Sequence, residues 1–494
     1  MSVYYLRIEA VNLDYSVYDT YDISTIRGGS FMLHNAFEGI EQKVNKLSLP
    51  CQDFKDLGSA ASAGLYTFKP DTNDIESRIV KPILNLILEE IRSFATLVWS
   101  TRPVRKNEPF ADFLNYLLAE CRWKQYQQAS VVLPLEKDRD EACAMDGVRP
   151  AVEPDQVGDK ERLISRAVSS RRRKGKELRN RIYKELLGEI VSALPDKPDE
   201  WIVTSNLEML SKRKEAGKLD GKIAFIFLDG NRFGRIRDAK CANPDLYLQF
   251  QQTIQNELRK PALEALLQFA LAPENQSFRT DDNKIRLETL LWGGDEIEWI
   301  VPAWQALNVL DLFFNTTKAH DNFHGVTLTH SAGVVFCHHN LPILQIRQYA
   351  RELCELAKEK EEIPRDINKI GPDANRFAFL NIVSFDYMTG NMREFIRSYY
   401  HPAGPKDFII PADSIGDFKR YLPMLKSYFP SNKLHQLIEA LKKKQYDEVN
   451  KIFKKAISLL GRSQREATQA AFDKLIADKN QLWFRVAELM NYVE

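Results

Sequence analysis

The stretch IAFIFLDG, residues 223–230, decides how this chain folds. Ile223 to Leu228 is a continuous apolar run of strand length, the pattern of a central strand buried on both faces. Asp229 ends the run. A carboxylate there leaves the sheet edge from a backbone that the ladder holds still. Gly230 behind it allows close approach and offers a carbonyl oxygen. An Asp after a buried strand is often only a helix cap, so the position gains meaning from a second acidic group elsewhere.

That group is WGGDE, residues 292–296. Leu287 to Trp292 and Ile297 to Val301 read as the two arms of a β-hairpin with the Gly-Gly-Asp-Glu turn between them. Gly293 and Gly294 permit the turn and remove side chains where a phosphate must come near the backbone. Asp295 and Glu296 supply oxygen ligands. Mg²⁺ or Mn²⁺ takes one or two carboxylates plus substrate phosphates. Two such ions, about 3.5–4 Å apart, serve nucleotidyl transfer. The expectation is that Asp229, the Gly230 carbonyl, Asp295 and Glu296 hold two divalent ions.

Around these motifs the chain reads as four parts. Residues 1–133 alternate strands (Val3–Ile8, Gly64–Phe68, Phe94–Trp99, Ser130–Leu133) with helices. The helices are Phe31 to Leu47, after a Gly28-Gly29-Ser30 turn, then Ile79–Ile91 and Phe110–Ala119. Residues 134–200 change composition. A loop, Cys143 to Pro154, precedes a basic tract in which Lys160 to Lys184 holds eleven Lys or Arg and two Glu. It reads as a long, mostly exposed helix, suited to RNA or an acidic partner by charge. Residues 201–390 follow the order β-α-β-β-α-β-α-β, a ferredoxin-like core with additions. Helices are expected at Pro244–Leu271, Gln305–Thr317 and Ile343–Lys360, and strands at Val326–Cys337 and Phe377–Phe385. Residues 391–494 read as helical, with apolar stripes at Leu434, Leu437, Ile438 and Leu441 and at Ile452, Phe453, Ala456, Ile457 and Leu460. The fold class is therefore α/β (α+β), ferredoxin-like units with a C-terminal helical domain.

Net charge is +1 from 69 basic and 68 acidic residues, so no global field draws the chain to nucleic acid or membrane. Six scattered cysteines without a Cys-x-x-Cys pair fit a thiol-reduced, cytoplasmic protein better than a disulfide framework. No secretory leader and no apolar run of about 18 residues is visible, so no membrane span is expected. His338-His339 reads as a strand pair facing opposite ways rather than a metal site.

Residues 223–360 resemble the palm domain shared by GGDEF-type diguanylate cyclases and the large polymerase-like subunit of type III CRISPR effector complexes. Four segments carry the likeness in order: FIFLDGNRFG (225–234), WGGDE (292–296), HSAGVVFCHHNLPI (330–343) and ARELCELAK (350–358). IRGGS (26–30) and CAMDGVRPA (143–151) resemble the CRISPR form more weakly. The resemblance implies an N-terminal palm-like domain without catalytic acids before the active palm. It implies metal-binding roles for Asp229 and Asp295, with Glu296 where the CRISPR family usually has Asp. It implies a phosphate-approach turn at Gly293-Gly294 and a triphosphate contact at Lys358. Ser331, Asn231 and Phe233 match positions near the nucleotide.

Two departures follow. The only His-Asp neighbour, His320-Asp321, lacks the companions of an HD nuclease. The loop before the basic tract keeps Cys143 but has Asp146 in the second place, so no zinc is expected. The activity implied is a nucleotidyltransferase or cyclase that joins nucleoside triphosphates, ATP favoured, into a cyclic or short oligonucleotide messenger in antiviral defence. A non-catalytic palm scaffold in an RNA-guided complex and a diguanylate cyclase are the alternatives. Ile297 after Glu296 and the long insert before Gly293 fit the last poorly. Oligomeric state is left open.

Overall fold

The computed structural model describes residues 2–60, 62–105, 107–127, 141–181, 183–184, 203–359, 363–383, 391–476 and 479–493. The expected strand Ser130–Leu133 lies outside them. The chain divides into two compact units. The first comprises Met1–Glu200, Arg232–Lys260 and Thr289–Glu298, and the second Trp201–Asn231, Pro261–Glu288 and Trp299–Glu494.

The first unit begins β1 (Tyr4–Val11), α1 (Ile23–Phe37), α2 (Ile40–Asn45), β2 (Cys51–Ala60), β3 (Ala63–Pro70), α3 (Lys81–Ile91) and β4 (Thr96–Pro103). Its sheet runs β2-β3-β1-β4 with antiparallel pairs throughout, which is ferredoxin-like connectivity. Helix α4 (Phe110–Tyr126), the hairpin β5 (Glu153–Val157) and β6 (Lys160–Ile164), and α5 (Arg166–Leu178) follow. Two more helices of this unit, α6 (Phe233–Lys240) and α7 (Pro244–Gln252), lead into a π-helical turn at Thr253–Arg259.

Two expectations are corrected here. Gly28-Gly29-Ser30 is the middle of a helix and not a turn: α1 starts at Ile23, capped by Asp22, whose carboxylate accepts from the Thr25 N–H at 2.8 Å. The glycines serve a helix crossing. A Cβ on Gly28 would stand 1.8 Å from the Arg171 carbonyl oxygen, and one on Gly175 would stand 1.8 Å from that of Ser24. The basic tract is likewise no long exposed helix. It is a hairpin strand followed by the 13-residue α5, with one face against α1. Arg171 is fully buried, donating to the Ser16 and Val17 carbonyls at 2.6 and 3.1 Å and to Asp19 at 2.8 and 3.0 Å. Arg172 pairs with Asp155 at 2.5 Å and Lys174 with Glu177 at 2.9 Å. Arg166, Arg173 and Lys176 remain exposed.

The loop at Cys143 is closed by a carboxylate. Asp146 accepts from the Val148 and Arg149 N–H groups at 2.8 Å each, and from the Arg149 guanidinium and the Ser165 hydroxyl at 3.0 Å each. Burial alone would raise its pKa. The Arg149 and Val148 amides and the Arg149 charge outweigh burial and hold it below the usual value.

The second unit carries the apolar run Ile223 to Leu228. Its sheet and the elements around that sheet comprise β7 (Lys222–Gly230), α8 (Lys260–Leu271), β8 (Glu288–Gly293), β9 (Glu296–Pro302), α9 (Ala306–Lys318), β10 (Asn322–Phe323), β11 (Val326–Thr327), β12 (His330–His338), α10 (Ile343–Ala357) and β13 (Arg376–Ile382). The edge strand β14 (Ile409–Pro411) completes a sheet of order β14-β13-β12-β7-β9-β8. Most of β8 and the start of β9 cluster with the first unit. The order β12-β7-β9-β8 repeats the ferredoxin-like connectivity. β12 is antiparallel to β7 and parallel to β13. The expected strand Val326–Cys337 is two: β11 pairs with β10 in a separate ribbon, and β12 starts at His330.

Helix α10 packs on β12 through Ile346, Ala350, Leu353 and Cys354, all fully buried. Each large apolar side chain so placed contributes roughly 1.5–3 kcal/mol. The approach depends on Gly333, where a Cβ would lie 1.8 Å from the Ala350 carbonyl oxygen. The C-terminal part is helical as read: α11 (Met392–Tyr399), α12 (Ile415–Tyr428), α13 (Ser431–Lys442), α14 (Tyr446–Ser458), α15 (Arg462–Leu475) and α16 (Leu482–Met490). Phe429, Phe453, Phe472 and Trp483 form an aromatic cluster within it, with the contacting ring centroids 4.4–6.0 Å apart. No helix among the described residues is long and apolar enough to cross a membrane.

Candidate active site

Asp229 is the penultimate residue of β7, in register with Ser331 of β12, which is in turn in register with Arg376 of β13. Side chains in one such row share a face of the sheet. The face is that of α10, because Gly333, two residues after Ser331, meets that helix. Lys358 caps the C-terminus of α10 and donates its ammonium to the Asp229 carboxylate. Both side chains are mostly covered, 13% and 17% exposed. Two residues assigned separately by motif are thus one ion pair.

Asn231 and Ser331 also meet, but beneath the surface. The Ser331 hydroxyl donates to Asn231 Oδ1 at 2.9 Å. Asn231 Nδ2 donates to the Thr329 hydroxyl and the Ala374 carbonyl, each at 3.0 Å, and its N–H donates to the Thr329 carbonyl at 2.8 Å. Both residues are buried with their polar groups engaged inside the fold. Their contribution is to fix the chain where β7 ends. His330, opposite Gly230 in the register, was not singled out from sequence. It is buried edge-on against Phe313, ring centroids 5.2 Å apart. Burial, and then the nearby Lys358 charge, push its pKa down to about 3, so the ring stays neutral.

In the first unit, the tip of the β8–β9 hairpin presents Gly293, Gly294, Asp295 and Glu296 half-exposed. Gly294 has φ +56°, the left-handed region that a turn of this kind needs. Under the turn lies Arg259, which sequence reasoning passed over as part of a helical tract. Its Nη1 donates to the Gly294 carbonyl at 2.9 Å, and its guanidinium lies 4.5 Å from the centroid of the Trp292 ring. Phe233 packs edge-on against Phe250, centroids 5.9 Å apart, and is buried.

The His338-His339 expectation is corrected. The rings lie side by side, centroids 4.4 Å apart. β12 ends at His338, so strand alternation does not extend to its neighbour. Among the described residues no group of three or more His, Cys, Asp or Glu is assembled around a common point. The donors at the candidate site are oxygens only, which suits hard divalent cations whose shells substrate phosphates complete.

No family model matches the sequence, and no curated protein matches it. Among solved structures the chain is similar to Csm1 of the Csm1-Csm4 cassette in complex with cA4, at 11% identity and TM-score 0.55, covering 100% of this chain and 70% of that one. It is similar to the same cassette in complex with one ATP, at 12% identity and TM-score 0.55, with the same coverage. It is also similar to the Csm1-Csm4 subcomplex in the type III-A CRISPR-Csm interference complex, at 12% identity and TM-score 0.52, covering 99% of this chain and 70% of that one. At these identities the likeness is one of fold. It is the fold that the motifs 225–358 led one to expect.

Proposed function

We propose that this chain is a nucleotidyltransferase that joins nucleoside triphosphates, ATP first among them, into a cyclic or short oligonucleotide. The observation that carries the reading is the Lys358–Asp229 pair at the end of a buried strand, within a fold shared with proteins crystallised with ATP and cA4. Asp229, the Gly230 carbonyl, Asp295 and Glu296 would hold two Mg²⁺ or Mn²⁺ ions. When bound, such ions neutralise the triphosphate and acidify the attacking hydroxyl.

In this reading a 3′-hydroxyl oxygen bonds to an α-phosphorus, the α–β anhydride bond breaks, pyrophosphate leaves and the hydroxyl proton passes to water. Gly293 and Gly294 give phosphate room to approach the backbone. Lys358 exchanges its carboxylate partner for the triphosphate, a task suited to a point charge on a flexible stem. Glu296, one methylene longer than Asp, reaches further from the turn. Arg173 and Lys176, exposed on α5, would meet an RNA or acidic protein partner, with Arg166 beside them at 4.0 Å from Glu153.

Purified protein incubated with each triphosphate and Mn²⁺, followed by product mass spectrometry, tests the reading. Oligoadenylate masses support it. A cyclic di-guanylate mass replaces it with the diguanylate cyclase. Absence of product with all four nucleotides, with RNA added as activator, supports the scaffold.

A further inference from the structure

Arg259 ends the π-helical turn Thr253–Arg259 with its side chain inside the protein, 5% exposed. A guanidinium taken out of water is costly unless its donors are used and its charge is answered. Its contacts converge on one short piece of chain. Nη1 holds the Gly294 carbonyl, and the planar group stacks on Trp292. Asp295 opposes the effect of burial on Arg259, although burial prevails and brings its pKa down to about 10. Nε is buried with no hydrogen-bond partner among the described residues. Among the described residues, every feature that answers this cation therefore belongs to WGGDE.

The turn needs such a hold. A Cβ placed on Gly294 would meet nothing within 4 Å, so packing does not brace that side. A glycine at φ +56° has neighbouring conformations within easy reach. The peptide joining Gly294 to Asp295 is planar and trans, so a fixed Gly294 carbonyl also fixes where the Asp295 Cα stands. π-Helical turns of this kind recur at functional sites.

We propose that Arg259 is the positioning residue of the Gly293–Glu296 turn: by holding the Gly294 carbonyl it sets the stance from which Asp295 takes a divalent cation. The cation half of this statement rests on the nucleotidyl-transfer reading. The hold on the turn does not.

The test uses the full chain with Arg259→Met and Arg259→Lys. Hydrogen exchange of the segment 288–298 is followed by mass spectrometry, and Mn²⁺ is titrated by electron paramagnetic resonance with a nonhydrolysable ATP analogue. In Arg259→Met, exchange at the turn rises about tenfold and Mn²⁺ affinity falls about tenfold. Arg259→Lys falls between, since an ammonium still donates to one carbonyl but cannot stack as a plane. In an Asp295→Ala background Arg259→Met brings no further loss of Mn²⁺.

Wild-type exchange and wild-type Mn²⁺ binding in Arg259→Met overturn the proposal. So does an equal loss in the Asp295→Ala background. If the unmodified chain takes up no Mn²⁺ with nucleotide, the nucleotidyl-transfer reading fails, and the exchange experiment alone decides whether Arg259 holds the turn. If Arg259→Met does not fold, Arg259→Lys decides on the same readouts.

Discussion

Lys358, at the end of α10, donates to Asp229, at the end of β7, across 129 positions of sequence. The pair satisfies two charges that the fold has largely removed from water. In the proposed reading the carboxylate would exchange this protein cation for a metal, and the ammonium would exchange the carboxylate for phosphate.

Truncating one partner of this pair should cost more than removing both. Lys358→Ala leaves a mostly covered carboxylate alone, and a loss of about 3 kcal/mol in urea unfolding is expected. Adding Asp229→Asn to Lys358→Ala should recover at least half of that. Equal stabilities of the single and double variants would show that the pair carries no coupling.

Two glycines should respond in opposite measure to the same substitution. Gly333→Ala drives a methyl into the Ala350 carbonyl, so α10 must shift, at a cost of about 3 kcal/mol. Gly294→Ala meets open space and is penalised only by its left-handed backbone, about 1–2 kcal/mol. Urea midpoints of the two variants measure the order, and the reverse order would contradict the packing described for α10.

Glu488 should make stability fall as pH rises. Its carboxylate accepts from Asn381 Nδ2 at 2.6 Å and from Tyr400. Burial nevertheless raises its pKa above the ordinary 4.5, against those donors and the charges of Lys442 and Lys222. The folded chain then keeps this proton to higher pH than the unfolded chain. The contribution to stability is fully present below the ordinary value and is lost as pH climbs through the raised one. Glu488→Gln should flatten that part of the profile, read as urea midpoints between about pH 4 and 8. An unchanged slope would remove Glu488 as its source.

What the sequence disclosed follows from locality. β7 announced itself because six successive apolar side chains leave no polar face. The GGDE hairpin did so because glycines and acids at a turn flanked by apolar arms have few other readings. β2 was missed. Its register shifts between Gln52 and Lys55 and again between Asp56 and Gly58, and these irregularities break the alternation by which a half-buried strand is recognised. Gly28 and Gly175 reveal their purpose only when two helices 147 positions apart are seen to cross at backbone contact. Arg171 looked like a member of an exposed helix and Arg259 like one more residue of a helical tract, because nothing local to an arginine says that its partners, Asp19 or Gly294, arrive from another element. Asn231 and Ser331 stood out only through the resemblance, as positions near the nucleotide, while their burial and mutual bond depended on β12 lying beside β7.

The most direct measurement is Mn²⁺-dependent release of pyrophosphate from ATP by the unmodified chain, by Asp229→Asn and by Asp295→Asn, all three shown to be folded. The account predicts release by the first and a loss of at least about a hundredfold in each of the other two. Release at the unmodified rate by either substituted chain would contradict it.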